Sequence, residues 1–430
     1  MPNEAVTRAT RTQLSRQQIT GFWGAWAGWT LDGMDSVIYA LVLSPALTEL
    51  LPRSGYPATP ANIGFAGSTL FALFLVGWGL SLIWGPIADR FGRTRVLAAT
   101  IFVYALFTGL AALSQTVWQL ALFRLLAGIG IGGEWALAGT YVAEAWPEDR
   151  RKLGAGYLQT GYYAGFFLAS ALNYTIAGRY GWRAMFWCGL TPVAVAIVVL
   201  LRVKEPRPFQ KIAPTAPKQP SPLRTIFTKP YTRRTLVNTI LLTAAICGLW
   251  AGAVYAPTAI IDLARRAGSL PAQAVRISSI GMGLLSLGSI LGCLLAPILA
   301  ERIGRKPALT VYFLGMAASI LASFGLTFYL ANGLYPFIAT LFFLGLFGGN
   351  FALFSLWLPE QYPTTIRVTA FAFTTSFGRF IAAGLNFGLG SLISAMGTLG
   401  KPVALTAIAF VIGLLALPFA LETRGATLPD

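Results

Sequence analysis

The chain has 430 residues, of which 56% are apolar and only 11% are charged. Soluble domains carry about 25% charged residues, so this composition excludes an ordinary soluble protein and predicts a helical membrane protein. A net charge of +17 would favour nucleic acid as a partner of a soluble protein. Here most Lys and Arg residues lie in the loops of one side of the predicted membrane domain, and we expect no nucleic acid partner.

The hydrophobic pattern predicts twelve membrane-spanning helices. Each predicted span has about the 20 apolar residues that a helix needs to cross a bilayer. The spans are 21–49, 62–83, 96–113, 117–143, 153–178, 182–201, 235–261, 274–300, 308–330, 334–358, 368–396 and 402–421. The predicted fold class is therefore an all-α membrane protein of two six-helix bundles.

These spans divide the chain into five parts. We predict an N-terminal tail (1–20), a first bundle (21–202), a linker (203–234), a second bundle (235–421) and a C-terminal tail (422–430). Twelve crossings return the chain to its starting side, and the excess of Lys and Arg there predicts cytoplasmic termini. The polar, basic first 20 residues predict no cleaved signal. The linker is rich in proline and basic residues, for which a solvated tether along anionic headgroups is a sufficient explanation.

The three cysteines fall inside predicted spans. Cys188, Cys247 and Cys293 show neither a disulfide framework nor a metal-ligand spacing, so we interpret them as small core residues. No phosphate loop, metal cluster or histidine-based triad is present. We therefore predict neither an enzyme nor a cofactor.

The two halves contain an internal repeat. Residues 85–93, Gly-Pro-Ile-Ala-Asp-Arg-Phe-Gly-Arg, match residues 297–305 after the eighth span, and 144–147 match 360–363 after the tenth. The same offset places Arg151 opposite Arg367. Two parallel six-helix repeats with a site between them near the midplane are a known transporter architecture.

This repeat and the motif Gly-x-x-x-Asp-Arg-x-Gly-Arg resemble the major facilitator superfamily over nearly the whole chain. The resemblance implies that the motif's acids and arginines pair across helix ends and latch one conformation. Positive-inside topology alone would explain the basic residues but not the matching glycines and acids. The predicted latch residues are Gly85, Asp89, Arg90, Gly92, Arg93, Glu144, Glu301, Arg302, Arg305 and Glu360.

Within that superfamily, residues 31–43 resemble the first helix of the sialate and lactate proton symporters. Residues 124–141 and the 144–151 turn are similar to that family as well. Met34 and Ser36 stand where its pattern has aromatic residues, and aromatic-acid and metabolite proton symporters share the same framework. The C-terminal 422–425 is similar to the sugar-porter tail, but the matching signal at 204–207 is weak.

Five charges are predicted to lie deep in the membrane, and function is sought there. A charge at the centre of a spanning helix costs roughly 2.5 to 3.5 kcal/mol on insertion scales, so such residues are seldom idle. They are Asp32, Asp35, Arg124, Glu134 and Arg379.

The three deep acids are predicted to carry the proton. Asp32 and Asp35 are three residues apart and share a helix face, where mutual repulsion favours protonation of one of them. The chain has no histidine, so only carboxylates remain for this task. One alternative pairs Asp32 permanently with Arg124 as a brace and leaves Asp35 as the proton acceptor. Glu134, in a glycine-rich run, has a fixed packing or hinge role as its alternative.

Arg379 is the predicted substrate contact, because a guanidinium binds a carboxylate with two hydrogen bonds. Its alternative is a pair with an acid of the other half. The predicted substrate-binding residues are Arg379, Arg124, Tyr162, Trp250, Tyr255, Asn350 and Asn386. For the aromatic residues packing is the alternative, and for the asparagines it is the joining of helices.

Three deep acids and two deep arginines leave one surplus negative charge if all are ionised. An organic anion is then expected to enter only with a proton. We predict a monomeric proton-coupled symporter of a small organic acid (a monocarboxylate, a sialic acid-like or an aromatic acid) in a bacterial-type inner membrane. Its expected partners are the organic anion, protons and the lipid bilayer. The alternatives are a sugar or organic-cation transporter of the same fold, and a membrane sensor that binds without transport.

Overall fold

The computed structural model describes residues 13–202 and 221–429. Residues 1–12 of the predicted N-terminal tail lie outside these ranges, as do residues 203–220 of the predicted linker and Asp430. The weak sugar-porter signal at 204–207 falls in the undescribed part of the linker.

Twelve long helical segments follow one another in the described ranges, which contain no β-strand. In the first half they are α1 (Arg16–Arg53), α2 (Pro60–Leu80, continued by Ser81–Ile83 and Trp84–Phe91), α3 (Arg93–Ala111), α4 (Val117–Ala145), α5 (Glu148–Leu172, continued by Asn173–Ala177) and α6 (Gly178–Cys188 and Pro192–Arg202). In the second half they are α7 (Tyr231–Arg266), α8 (Pro271–Ile303), α9 (Arg305–Ile320, continued by Leu321–Leu326 and Thr327–Tyr329), α10 (Leu334–Gly348, Phe351–Trp357 and Pro359–Gln361), α11 (Arg367–Met396) and α12 (Gly400–Leu405, Ile408–Ala416 and Leu417–Phe419).

The predicted all-α membrane fold is confirmed. Ten helices in the described ranges are long and apolar enough to cross a membrane. The bent α1, whose parts Arg16–Leu43 and Pro45–Arg53 meet at 64°, gives an eleventh, and its bend lies at Pro45, which cannot donate a backbone hydrogen bond. The twelfth helix, α5, has 25 residues but begins with the charged run 148–152.

Several helices extend beyond their predicted limits, and two of these differences have clear local reasons. The first helix begins at Arg16 instead of 21, because Ser15 and Gln18 form a capping box in which each side chain bonds the other's backbone N–H. The second continues as helix to Phe91, so Gly85, Asp89 and Arg90 lie on a helix end and not in a loop. The chain turns only at Gly92, whose φ of +104° favours glycine.

The halves meet along two helix pairs. The α2 helix packs against α11, and α5 packs against α8. Within the first half, α1 and α5 approach so closely that a Cβ at Gly33 would lie 2.1 Å from the carbonyl oxygen of Tyr162. Glycine is therefore required at this crossing.

Both ends of the described chain lie on one side of the molecule. Gln18 near the N-terminus donates to the carbonyl of Ala145 at the end of α4, and Arg367 at the start of α11 donates to the carbonyl of Pro429, both at 2.6 Å. Because α4 ends and α11 begins on the same side, we refer to it as the termini side and to the other as the opposite side.

The C-terminal tail caps α9 on the termini side. The chain turns at Gly304, with φ of +100°, and the carboxylate of Glu422 accepts the backbone N–H groups of Arg305 and Lys306 at 3.0 Å each. Partial burial raises the pKa of Glu422, but these two N–H groups, the N–H of Arg424 and the positive charge of Arg305 together outweigh it and hold the pKa below its ordinary value. Its contribution to stability is therefore present above the ordinary pKa and is lost as the pH falls through the lowered one.

Candidate functional site

The five predicted deep charges are all buried. Asp32, Asp35, Arg124 and Glu134 are 0% exposed and Arg379 is 2% exposed. They come from α1, α4 and α11, so the site combines both halves of the chain. Because four of the five side chains expose no surface to water and Arg379 exposes almost none, the structure represents a sealed conformation of the site.

Arg124 is held by Asp35 and two aromatic rings. Its Nη1 lies 3.4 Å from Oδ2 of Asp35, and its guanidinium carbon lies 4.5 Å from the ring centroid of Tyr39 and 4.3 Å from that of Phe74. Such cation–π contacts stabilise a buried cation. The predicted alternative in which Arg124 pairs with Asp32 is wrong, because Asp35 and Tyr39, one turn apart on α1, face the guanidinium together.

Asp32 and Glu134 are the unpaired acids of the site. The oxygens of both carboxyl groups have no hydrogen-bond partner in the described part of the chain. Glu134 presses against α1, since a Cβ at Gly28 would lie 2.1 Å from its Oε1. Asp32 lies within electrostatic reach of Glu134, Asp35 and Arg379. The structure thus brings together the three predicted acids but gives only Asp35 a cationic partner.

Arg379 faces aromatic rings of the first half. Its guanidinium carbon lies 4.0 Å from the ring centroid of Trp78 and 5.9 Å from that of Trp135. Its Nη1 donates to the carbonyl of Thr375 in its own helix at 2.6 Å, and its Nε has no hydrogen-bond partner. It makes no ion pair with any described acid. The predicted alternative, a direct pair with an acid of the other half, is therefore not formed in this conformation.

An aromatic cluster surrounds the unpaired charges. Trp29 stacks on Trp135 with ring centroids 6.1 Å apart and contacts Tyr162 at 4.8 Å. Trp250 of α7 lies edge-on to Trp78 at 5.6 Å. The contact between Trp78 and Trp250 crosses between the halves, as does the hydrogen bond from Trp135 Nε1 to Ser355 Oγ at 2.9 Å.

Trp78 and Ser355 are site residues that the sequence interpretation missed. Trp78 lies between Gly77 and Gly79 in the second predicted span, and this pair of glycines was the available signal for close packing around a large ring. Ser355 carried no signal, because a single hydroxyl within an apolar span commonly bonds its own helix.

The remaining predicted substrate residues, Asn350, Asn386 and Tyr255, make no described contact with the five charges. Asn350 and Asn386 both donate to carbonyls of their own helices, those of Phe347 and Ala382, at 2.9 Å. In the described contacts neither joins two helices, while Oδ1 of Asn350 has no hydrogen-bond partner. Tyr255 is partly buried in α7, and no described contact connects it with the five charges.

The predicted latch residues of the first half lie close together on the termini side. Arg93 pairs with Asp89 at 3.2 Å and with Glu144 at 3.2 Å. Glu144 also pairs at 2.7 Å with Arg367 of the second half. Asp89 accepts the backbone N–H of Thr369 at 2.9 Å and its hydroxyl at 2.6 Å. Gly85 permits this approach, since a Cβ there would lie 2.8 Å from Cα of Thr369.

The predicted latch residues of the second half form a similar cluster, but it has fewer contacts with the other half of the chain. Arg305 pairs with Glu301 at 2.6 Å and with Glu360 at 2.8 Å. Only Glu301 reaches the first half within the described ion pairs, through Lys152 at 2.6 Å. Lys152 was not predicted, because the repeat offers no basic residue opposite it.

Arg90 and Arg302 do not belong to the latch in this conformation. Both are exposed, and neither forms an ion pair with a described residue. Arg90 follows Asp89 and Arg302 follows Glu301. One position is about 100° around the helix, so each arginine side chain points away from the cluster. The prediction that they take part was wrong for this state.

The chain is similar to known transporters along most of its length. The sequence model of the Major Facilitator Superfamily matches residues 25–386. The chain is 30% identical to the probable 4-methylmuconolactone transporter of Cupriavidus pinatubonensis, over 97% of this chain and 93% of that protein. It is 26% identical to the sialic acid transporter NanX of Escherichia coli, over 94% of this chain and 90% of that protein.

The fold is similar to a solved transporter structure. The proton:xylose symporter XylE bound to 6-bromo-6-deoxy-D-glucose superimposes with a TM-score of 0.79 at 19% identity, over 97% of this chain and 98% of that chain. The family model and the sequence relatives confirm the predicted superfamily, and they identify a transporter family and not an enzyme family. Since the family match covers most of its length, this chain belongs to the Major Facilitator Superfamily.

Proposed function

We propose that this protein is a secondary transporter that moves a small organic acid together with a proton by alternating access. One observation carries the proposal: Asp32 and Glu134 are sealed carboxyl groups without a hydrogen-bond partner among the described residues, and Asp32 lies within electrostatic reach of both Glu134 and Arg379, an arginine that has no acid partner among those residues. The relatives named above, transporters of 4-methylmuconolactone and sialic acid, support an organic acid as the substrate class.

The charge balance of the site favours a proton as the co-transported ion. Arg124 and Asp35 neutralise each other, which leaves Asp32, Glu134 and Arg379 to determine the net charge. With both acids ionised the group carries one surplus negative charge, and a bound carboxylate would make it two. An unpaired ionised carboxylate costs several kcal/mol when it is buried, so the substrate is expected to enter with at least one proton.

The surroundings of Arg379 favour a carboxylate attached to a flat or apolar body. Its guanidinium offers hydrogen-bond donors to the carboxylate, while the rings of Trp78, Trp135 and Trp250 offer apolar faces. In this proposal Tyr162 contributes to the same wall, and Asn350, Asn386 and Tyr255 contact the substrate only after the site opens.

The latch supports alternating access. Hydrogen bonds and ion pairs join the halves on the termini side through Glu144 and Arg367, and through Lys152 and Glu301. We propose that these contacts break when the site opens to that side. We further propose a monomer in a bacterial inner membrane with cytoplasmic termini, built from the bundles 21–202 and 235–421.

Uptake into proteoliposomes tests the proposal. Purified protein is reconstituted, and labelled 4-methylmuconolactone or sialic acid is offered with an inward proton gradient. We expect accumulation above equilibrium that a protonophore abolishes, because the gradient supplies the driving force. Accumulation that is equal with and without the gradient would contradict proton coupling, and saturable binding without uptake would indicate a sensor.

The role of Arg379 is tested by substitution. Arg379→Ala is expected to weaken substrate binding roughly a hundredfold, since a charge-assisted pair with two hydrogen bonds contributes about 3 kcal/mol. Arg379→Lys keeps the charge but loses the planar pair of donors. Its affinity for the substrate should therefore lie between that of wild type and that of Arg379→Ala. Binding is measured by calorimetry on detergent-purified protein. Arg276→Gln, an exposed change on the opposite side, is the control, and equal affinity of Arg379→Ala and this control would refute the assignment.

A further inference from the structure

A groove of about 440 Å³ lies on the termini side, away from the transport site. It is located where α7 begins and α12 ends, and its lining includes Lys229, Arg233, Leu236, Val237 and Phe419. Both helices are long and apolar enough to cross a membrane, and the groove lies at their ends, where a spanning helix meets the lipid headgroups.

Two cations border the groove without an acidic partner. Lys229 and Arg233 are exposed, and neither forms an ion pair with a described residue. Their neighbour Arg234 differs, because it donates to the carbonyl of Gln361 at 3.0 Å and lies over the ring of Tyr231. Of the two adjacent arginines, only Arg233 is therefore free to bind an anion in the groove.

The rest of the groove is apolar. Leu236 is 51% exposed and Phe419 is 60% exposed, and the buried Val237 also lines the groove. The guanidinium carbon of Arg233 lies 6.0 Å from the ring centroid of Phe419, so the charged border and the apolar wall are adjacent. A ligand that fits both surfaces has an anionic head and a hydrocarbon chain.

We propose that this groove is a binding site for an anionic phospholipid, whose phosphate lies between Lys229 and Arg233 and whose acyl chain lies along Leu236 and Phe419. Basic pockets at the ends of membrane helices bind such headgroups. The undescribed linker 203–220 is a less suitable occupant, because its four basic residues and one acidic residue would be repelled. Free phosphate would leave the apolar wall without a partner.

Native mass spectrometry of the full chain in detergent tests the proposal. Palmitoyl-oleoyl phosphatidylglycerol is titrated against wild type, the double variant Lys229→Gln/Arg233→Gln, Phe419→Ala and the control Arg224→Gln. Arg224 is an exposed arginine of the short helix Pro222–Thr225 on the same side. Phosphatidylcholine, dihexanoyl phosphatidylglycerol and inorganic phosphate are the comparison ligands.

We expect the double variant to bind the first phosphatidylglycerol roughly thirtyfold more weakly, since each basic residue near an anionic headgroup contributes about 1 kcal/mol. Phe419→Ala should weaken binding of the long-chain lipid several-fold and leave the dihexanoyl lipid unaffected. The lipid should also raise the melting temperature of wild type and of Arg224→Gln, but not that of the double variant.

Other results would overturn the proposal. Equal binding of phosphatidylglycerol by wild type and double variant would show that the two cations do not form the site. Displacement of the lipid by inorganic phosphate at equal concentration would indicate a simple anion site. A several-fold gain in lipid binding after deletion of residues 206–219 would identify the linker as the natural occupant.

Discussion

Asp32 and Asp35 lie one helical turn apart on α1, yet their carboxyl groups have different surroundings. Asp35 pairs with Arg124, whereas both oxygens of Asp32 lack a described partner. A buried carboxylate that balances a cation is needed for stability, because its removal leaves the cation unpaired. A buried carboxyl group without a partner does not stabilise a cation in this way, and it can exchange a proton once the site opens to water.

Substitution of the two aspartates should therefore separate stability from coupling. Asp35→Asn is expected to lower the free energy of unfolding by roughly 3 to 5 kcal/mol, the usual cost of breaking a buried pair. Asp32→Asn should leave thermal stability unchanged, abolish uptake driven by the proton gradient and retain substrate exchange. Thermal unfolding in detergent and the two transport assays measure these effects. Similar destabilisation by both changes would contradict the assignment.

The burial of the five charged residues could be predicted from the sequence, but their ion-pair partners could not. The position of Asp32, Asp35, Arg124, Glu134 and Arg379 within long apolar spans was sufficient to predict their burial. Arg124 pairs with Asp35 and not with Asp32 because of the rotation of α1 against α4 and the positions of the Tyr39 and Phe74 rings. Helix rotation is set by packing between helices, and hydrophobic periodicity constrains it only loosely in spans that are apolar on all sides.

At the level of the helix, the latch is asymmetric although the sequence repeat is nearly symmetric. Glu144 is shared between Arg93 of its own half and Arg367 of the other half. Its counterpart Glu360 bonds Arg305 and the hydroxyl of Thr423, both in its own half. The connection between the halves therefore depends more on Glu144 than on Glu360.

This asymmetry predicts unequal effects of two equivalent substitutions. Glu144→Gln should raise the population open on the termini side at least tenfold more than Glu360→Gln, because only the first change breaks an ion pair between the halves. Distances between spin labels at the exposed positions Arg90→Cys and Arg302→Cys, in a Cys188→Ser background, measure that population. If the two substitutions shift the distances equally, Glu144 has no special part in the latch.

The helix count and most helix limits could be predicted from apolar stretch length alone. The start of α1 and the end of α2 are two limits that could not be predicted in this way. The capping box of Ser15 and Gln18 extends α1, and α2 continues through a segment that its glycine and proline had made look like a loop. Latch partners such as Lys152 and Thr369 were missed because their contacts join helices far apart in the sequence, and a single sequence does not reveal such pairs.

For the whole molecule, the two halves must separate and rejoin in every transport cycle. In the sealed conformation Ser81 of α2 and Ser376 of α11 face each other across the halves, with their hydroxyl oxygens 3.4 Å apart. Both serines are fully buried. A covalent bond between these positions would hold the halves together at the depth of the site.

We predict that Ser81→Cys/Ser376→Cys forms a disulfide under mild oxidation and loses uptake, and that a reductant restores it. Each single variant should transport normally under both conditions, because neither can form the bond. Uptake is measured in proteoliposomes before and after reduction, with crosslinking followed by mass spectrometry. Full uptake by the oxidised double variant would show that this contact persists throughout the cycle.

The exclusion of water from Asp32 and Glu134 has a consequence for energy conservation in the cell. A proton can leave a carboxyl group only where water or another acceptor reaches it, and here both groups are 0% exposed. In this sealed conformation the two carboxyl groups therefore have no aqueous path along which they could pass protons across the bilayer. A transporter in this conformation would preserve the membrane's electrochemical gradient, because protons would not leak through it without substrate.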